Sequence, residues 1–182
     1  MKKLSALLFT CAFAFAGIAA HAQKNPMVGG AAMYPTKNIV QNAVNSKDHT
    51  TLVAAVKAAG LVSTLEGPGP FTVFAPTNEA FNKLPAGTVN NLLKPENKAQ
   101  LVKVLTYHVV PGRITTRDLH KMIKKGHGKA ELTTVEGGKL TVTMHHGKYM
   151  LTDAKGDMAT ITIPNVYQSN GIIQVINTVL LP

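Results

Sequence analysis

His145 and His146 are adjacent, and Asp153 and Asp157 flank Gly156, so both segments invite comparison with metal sites. Neighbouring side chains on a strand point to opposite faces, and two such imidazoles reach one ion only if a turn redirects them. His145-His146-Gly147 has instead the composition of a hairpin tip. The two aspartates lack the D-x-[DN]-x-[DN]-G spacing of a calcium loop. His49, His108, His120 and His127 have no His, Asp or Glu at a recognisable ligand spacing. The chain has no G-x-S-x-G elbow, no H-E-x-x-H and no phosphate loop. Its nine acidic residues single out no carboxylate pair for acid–base work. The sequence therefore reads as non-enzymatic, with no catalytic, metal-binding or cofactor-binding residue and no cofactor.

The basic residues carry more information. Arg113, Arg117, Lys121, Lys124, Lys125 and Lys129 fall within 17 residues, opposed by Asp118 alone. At 100° per residue, Arg117, Lys121, Lys124 and Lys125 lie within about 100° of one another on a helix, and Leu119, Met122 and Ile123 fall opposite. Such a helix packs one face on the domain and shows a cationic face to water. That face is either simply solvated or attractive to anionic polymers such as acidic polysaccharide or a lipid surface. The absence of Trp and the 5% aromatic content leave no visible base-stacking platform, so specific nucleic-acid binding is not expected.

These residues act outside the cytoplasm if the N-terminus is a leader. Lys2 and Lys3 precede an apolar stretch, Leu4 to Ala16, and Ala20-His21-Ala22 supplies a small-x-small cleavage site. The apolar run is shorter than the ~20 residues that span a bilayer. Cys11 lies inside it, after Phe9-Thr10, a poor context for lipid attachment. Cleavage after Ala22 leaves 160 residues, takes the formal charge from +10 to +8 and removes the lone cysteine. What remains is a single exported domain, periplasmic or secreted, without disulfides and with no membrane span after cleavage.

The elements that must position these residues follow from periodicity. Residues 23–35, with Pro26, Gly29, Gly30 and Pro35, read as an extended arm. Helical spacing begins at Ile39. A second helix carries Leu52, Val53 and Val56, with Asp48 as expected N-cap and Gly60 as stop. Phe71–Ala75 is a strand apolar on both faces. Thr77 is the expected cap of a helix bearing Ala80 and Phe81. Pro95 opens a longer helix through Leu105. Tyr107–Val110 reads as a strand, with Tyr107 and His108 on opposite faces. Thr115 and Asp118 form a capping box before the basic helix, which Gly126 ends. From Glu131 onward, five β-type runs alternate with glycine turns. Helices early and strands late indicate an α+β fold.

Two segments stand out beyond their periodicity. One runs from Gly69 to Phe81 and contains Phe71, Thr72, Val73, Phe74, Ala75, Pro76, Thr77, Asn78 and Phe81. The other runs from Ser169 to Pro182 and contains Asn170, Gly171, Gln174, Val175, Leu180 and Pro182. Between them lies Leu105-Thr-Tyr-His-Val-Val-Pro-Gly112. In order and spacing these resemble the two boxes and the Tyr-His motif of the fasciclin domain, over residues 36–182, and they are most similar to its secreted, single-domain bacterial branch. The resemblance implies an α+β fold, a β-wedge of about seven strands with several helices around it. It also implies a non-catalytic adhesion or interaction module with extracellular or cell-surface protein or anionic polysaccharide partners. In some members the Tyr-His region is linked to receptor or matrix binding, and some bind apolar small molecules, which makes a lipid or pigment carrier the alternative. Tyr107 and His108, with Arg113, Arg117, Lys121, Lys124 and Lys125, are the candidate interaction residues; core packing is the competing role for the Tyr-His pair. Gln174 and Asn177 replace the more usual His and Asp. Glutamine replaces histidine as a hydrogen-bond partner but does not titrate near neutrality.

Overall fold

The computed structural model describes residues 25–182, so the expected leader 1–22 lies outside the described residues. The chain runs β1 (Met27–Val28), β2 (Ala31–Ala32), α1 (Ile39–Ala43), α2 (Thr50–Ala59), α3 (Val62–Glu66), β3 (Phe71–Pro76), α4 (Asn78–Asn82), α5 (Thr88–Leu92) and α6 (Lys98–Tyr107). It continues with β4 (Val109–Pro111), α7 (Thr116–Lys125), β5 (Lys129–Thr133), β6 (Lys139–His145), β7 (Lys148–Thr152), β8 (Met158–Gln168) and β9 (Gly171–Ile176). Among the described residues, no helix is long and apolar enough to cross a membrane.

Seven strands form one sheet in the order β4-β3-β9-β8-β7-β6-β5. The β3–β9 pair is parallel and the other ladders are antiparallel. Just beyond β5, Val135 N–H donates to the Val109 carbonyl at 2.7 Å, which nearly closes the sheet into a barrel. The two segments that stand out in the sequence thus become adjacent strands, second and third in that order. Parallel strands are usually covered on both faces, and here both are. Val73, Ala75, Ile173 and Val175 join a core shared with α1–α6, while Phe74 and Ile176 join a second core inside the wedge. Gly171 permits the pairing: a Cβ at that position would lie 2.2 Å from the Phe71 carbonyl oxygen.

The long strand β8 serves two ladders, pairing β7 with its first half and β9 with its second. Register shifts fall between Ile161 and Val166, where Pro164 offers no N–H and Asn165 adopts φ +56°. Proline at a bulge and asparagine in left-handed backbone are the low-cost way to bend a strand there.

Three expectations are corrected. The expected arm at 23–35 is not plainly extended over its described residues, 25–35. Met27–Ala32 is a hairpin, and Val28 and Met33 are buried in the helix-side core. Asp48 does not cap α2; it is exposed within the 3-10 turn Lys47–His49. The start of α2 is served from afar by Asn78, whose Oδ1 accepts from Thr51 N–H at 3.0 Å. Tyr107–Val110 is not a strand: Tyr107 ends α6, His108 caps it, and β4 begins at Val109. A β-favouring tetrapeptide is overridden because α6 has already accumulated its buried face of Leu101, Val104 and Leu105.

Candidate functional site

The cationic helix α7 is built on local and long-range anchors. At its N-terminus Thr115 and Asp118 form the capping box anticipated from sequence. Asp118 N–H donates to Thr115 Oγ1 at 3.2 Å, and Thr115 Oγ1 donates to Asp118 Oδ2 at 2.6 Å. These hydrogen bonds, with Lys121 and Arg117 nearby, hold the Asp118 carboxyl below the usual carboxylate range. Leu119 and Ile123 are buried in the wedge core. Arg117, Lys121, Lys124 and Lys125 are all exposed. Among the described residues the ion pairs are Lys103–Glu136 at 3.6 Å and Lys139–Glu131 at 2.9 Å, so none of these pairs takes up a cation of α7. Met122, expected to be inward, is 37% exposed, because on the helical wheel it sits about 60° from Lys125. Arg113 is exposed but turned back, with Nη2 donating to the Gln168 and Ser169 carbonyls at 3.1 and 3.2 Å.

The conspicuous sequence segments hold this helix in place. Thr72 is buried; its hydroxyl donates to the Gly112 carbonyl at 2.7 Å and accepts from Ile114 N–H at 2.8 Å. Gln174 is fully buried, accepts from Asn165 N–H at 2.9 Å and donates to the Ile114 carbonyl at 3.1 Å. Asn165 in turn accepts from Thr116 N–H at 2.9 Å, in the first turn of α7. Two central strands thereby fix the loop from which the basic helix departs. The remaining residues of these segments are also structural. Thr77 caps α4, accepting from Ala80 N–H at 3.3 Å. Asn170 accepts from Ile39 N–H at 3.0 Å and donates to the Leu65 carbonyl at 2.7 Å, joining α1, α3 and β9. Pro76, Phe81 and Leu180 are buried, Phe71 and Pro182 partly so.

Tyr107 and His108 lie inside the fold. The Tyr107 hydroxyl donates to the Lys139 carbonyl at 2.7 Å and accepts from Ala154 N–H at 3.1 Å, and burial pushes its pKa up. His108 Nδ1 donates to the Val104 carbonyl at 2.8 Å, while Nε2 accepts from Leu180 N–H at 3.0 Å. With both nitrogens committed and the ring buried, its pKa falls to about 4 and the imidazole is neutral at neutral pH. These two residues are brought close to each other but not to the α7 cations on the surface.

His145 and His146 occupy the β6–β7 hairpin tip, exposed, with ring centroids 4.2 Å apart in an edge-on arrangement. Asp153 is a turn anchor: Oδ1 accepts from Asp157 N–H at 2.9 Å and Oδ2 from Leu181 N–H at 2.8 Å. Among the described residues no group of three or more His, Cys, Asp and Glu side chains is placed to hold a metal ion.

One feature of the fold has no counterpart in the sequence pattern. A cavity of ≈ 90 Å³ lies between the N-terminal hairpin, α1–α3 and the helix-side face of the sheet. Its walls include Val28, Leu52, Val56, Leu61, Val73, Leu105 and Ile173, together with His49. Met122, Ile123, Val89 and Leu92, the apolar residues that prompted the carrier alternative, are not among them. No local pattern signals a cavity whose walls come from so many segments.

Comparison with known proteins agrees with this architecture. A family model, the fasciclin domain, matches residues 47–182. The chain is 47% identical over 161 residues to protein sll1483 of Synechocystis, covering 88% of this chain and 82% of that protein. It is 34% identical over 172 residues to the cell surface glycolipoprotein MPB83 of Mycobacterium bovis, covering 91% of this chain and 70% of that one. Among solved structures, a FAS1 domain pair from the insect cell adhesion molecule fasciclin I is similar with a TM-score of 0.71 and 20% identity. That likeness concerns the fold; it covers 80% of this chain and 51% of the domain pair. The central β3–β9 pair, the order of the sequence boxes and the match over residues 47–182 converge, and this chain belongs to the fasciclin-domain family.

Proposed function

We propose that this chain is an exported, non-catalytic binding module that attaches to cell-surface or matrix partners through the cationic face of α7. In this reading residues 1–22 are a cleaved leader, 23–35 a short N-terminal segment and 36–182 the binding domain, acting in the periplasm or the medium. The observation that carries it is the exposed row Arg117, Lys121, Lys124 and Lys125 on a helix whose opposite face is pinned by Leu119 and Ile123. A rigid row of like charges raises the local potential and attracts polyanions, with an affinity that salt weakens. An acidic polysaccharide, or an acidic surface of a cell-surface protein, suits such a face.

The test is retention on immobilised heparin, used as a model acidic polysaccharide. The protein is expected to bind in 50 mM salt and to elute well before 1 M. The variant R117Q/K121Q/K124Q/K125Q should lose most of that retention. A control with the same charge loss elsewhere, K57Q/K83Q/K94Q/K155Q, should keep it. Equal loss in both variants would show that net charge, and not α7, governs binding, and would overturn the reading.

A second reading is favoured by the apolar cavity: carriage of a small apolar molecule, such as a lipid or pigment fragment. Apolar cavities of this kind stay dry and accept apolar guests. This reading is compatible with surface attachment, since the cavity and α7 draw on different parts of the fold.

A further inference from the structure

We propose that the β6–β7 hairpin binds one cuprous ion, held by the imidazoles of His145 and His146 and by the thioether of Met150. Neighbouring histidines on a straight strand diverge, so a shared ion requires a turn that redirects one of them. The structure supplies that turn. His145 is the last residue of β6 and Lys148 the first of β7, and between them His146 and Gly147 have φ of +48° and +75°. Two positive φ angles in a two-residue loop are the type I′ pattern, which Asn-Gly serves best. The turn therefore does not account for an imidazole at position 146. With the chain redirected there, the two ring centroids lie 4.2 Å apart. Both residues are exposed, so their side chains rotate onto an ion without unpacking the core.

The strand ladder supplies the third donor. Leu140, Val142 and Leu151 are buried in the wedge core, so alternation turns His145 and Met150 to the opposite, outer face. His145 pairs with Lys148 and Thr143 pairs with Met150, which makes Met150 the diagonal neighbour of His145. Diagonal neighbours lie roughly 7–8 Å apart, within reach of a long side chain, and methionine is unbranched and adaptable. A site of this kind needs no third His, Cys, Asp or Glu. Two imidazoles and a thioether form a soft donor set, which suits monovalent copper and does not serve ions that require carboxylate and carbonyl oxygens. Charge points the same way. Residues 143–150 include no carboxylate to neutralise an ion, and Lys148 stands across from His145. A monovalent ion meets about half the repulsion from that ammonium that a divalent ion such as zinc meets.

The experiment titrates cuprous ion into the purified protein without oxygen, in competition with a chromogenic copper(I) chelator, and reads the copper withdrawn from the chelator. Wild type should withdraw one ion per chain. H145Q/H146N, in which asparagine keeps the left-handed residue of the turn, should withdraw none. H120Q/H127N, which removes two other exposed histidines, should match wild type. M150L should bind more weakly than wild type. X-ray absorption of the wild-type complex should show two nitrogen neighbours and one sulfur, with the sulfur missing in M150L. If H145Q/H146N does not fold, the wild-type absorption spectrum and M150L decide alone. Failure of wild type to withdraw copper, equal uptake by H145Q/H146N, equal loss in both double variants, or a copper ion with no sulfur neighbour overturns the proposal.

Discussion

His108 couples the stability of this fold to pH, and the coupling is open to measurement. Its ring is buried with both nitrogens hydrogen-bonded in the neutral form, which lowers its pKa from an ordinary 6.5 to about 4. Protonation would force Nε2 to surrender the bond from Leu180 N–H. The unfolded chain therefore binds this proton more readily than the folded one. The stabilisation is fully present above pH 6.5 and is lost as pH falls toward 4. The full displacement corresponds to about 3 kcal/mol, of which about 2 kcal/mol is lost by pH 5. Against the 5–15 kcal/mol typical of a domain, that is a large share. His49, also lowered by burial, adds to the slope in the same direction. Urea unfolding of wild type and His108→Gln at pH 7.5, 6, 5 and 4.5 isolates the His108 contribution. The variant is less stable throughout but should show a shallower pH slope, by about 2 kcal/mol between pH 7.5 and 5. Identical slopes, or a native His108 imidazole that titrates near 6.5 by NMR, would refute the reasoning.

Two further outcomes follow from the central strands. Gly171→Ala places a methyl 2.2 Å from the Phe71 carbonyl oxygen and should cost about 3 kcal/mol in urea unfolding, because backbone on both sides must give; a loss under about 1 kcal/mol would show that the β3–β9 pair is loosely held. Gln174→Leu leaves the Asn165 N–H and the Ile114 carbonyl without the side chain that serves them, so about 2 kcal/mol or more is lost and amide exchange at Thr115–Asp118 speeds up; unchanged exchange there would mean that Gln174 does not position α7.

The basic helix was legible in the sequence because its determinants are local. The capping box, the apolar positions 119 and 123 and the cationic arc all repeat within one helix. The strand at Phe71–Pro76 was legible for the same reason, being apolar at successive positions between proline-rich boundaries. Tyr107-His108 was misread because a β-favouring tetrapeptide carries less weight than the helix already packed in front of it. Asp48 was misread as a cap because the group that serves the start of α2, Asn78, is 27 residues away from Thr51. His49 stood in the sequence as one histidine among seven, since burial is a property of its surroundings.

The amino-acid sequence alone determined most of the elements from Ile39 onward, the α+β class, the family resemblance and the cationic face of α7, all of which depend on residue types at short spacing. Tertiary structure alone decided that Phe71–Pro76 and Gly171–Ile176 become parallel neighbours, that Thr72 and Gln174 meet at the loop before α7, and that hairpin, helices and sheet border an apolar cavity. Those outcomes depend on which distant segments touch. Burial, hydrogen-bond completion and the shift of a pKa arise only once such contacts have removed water.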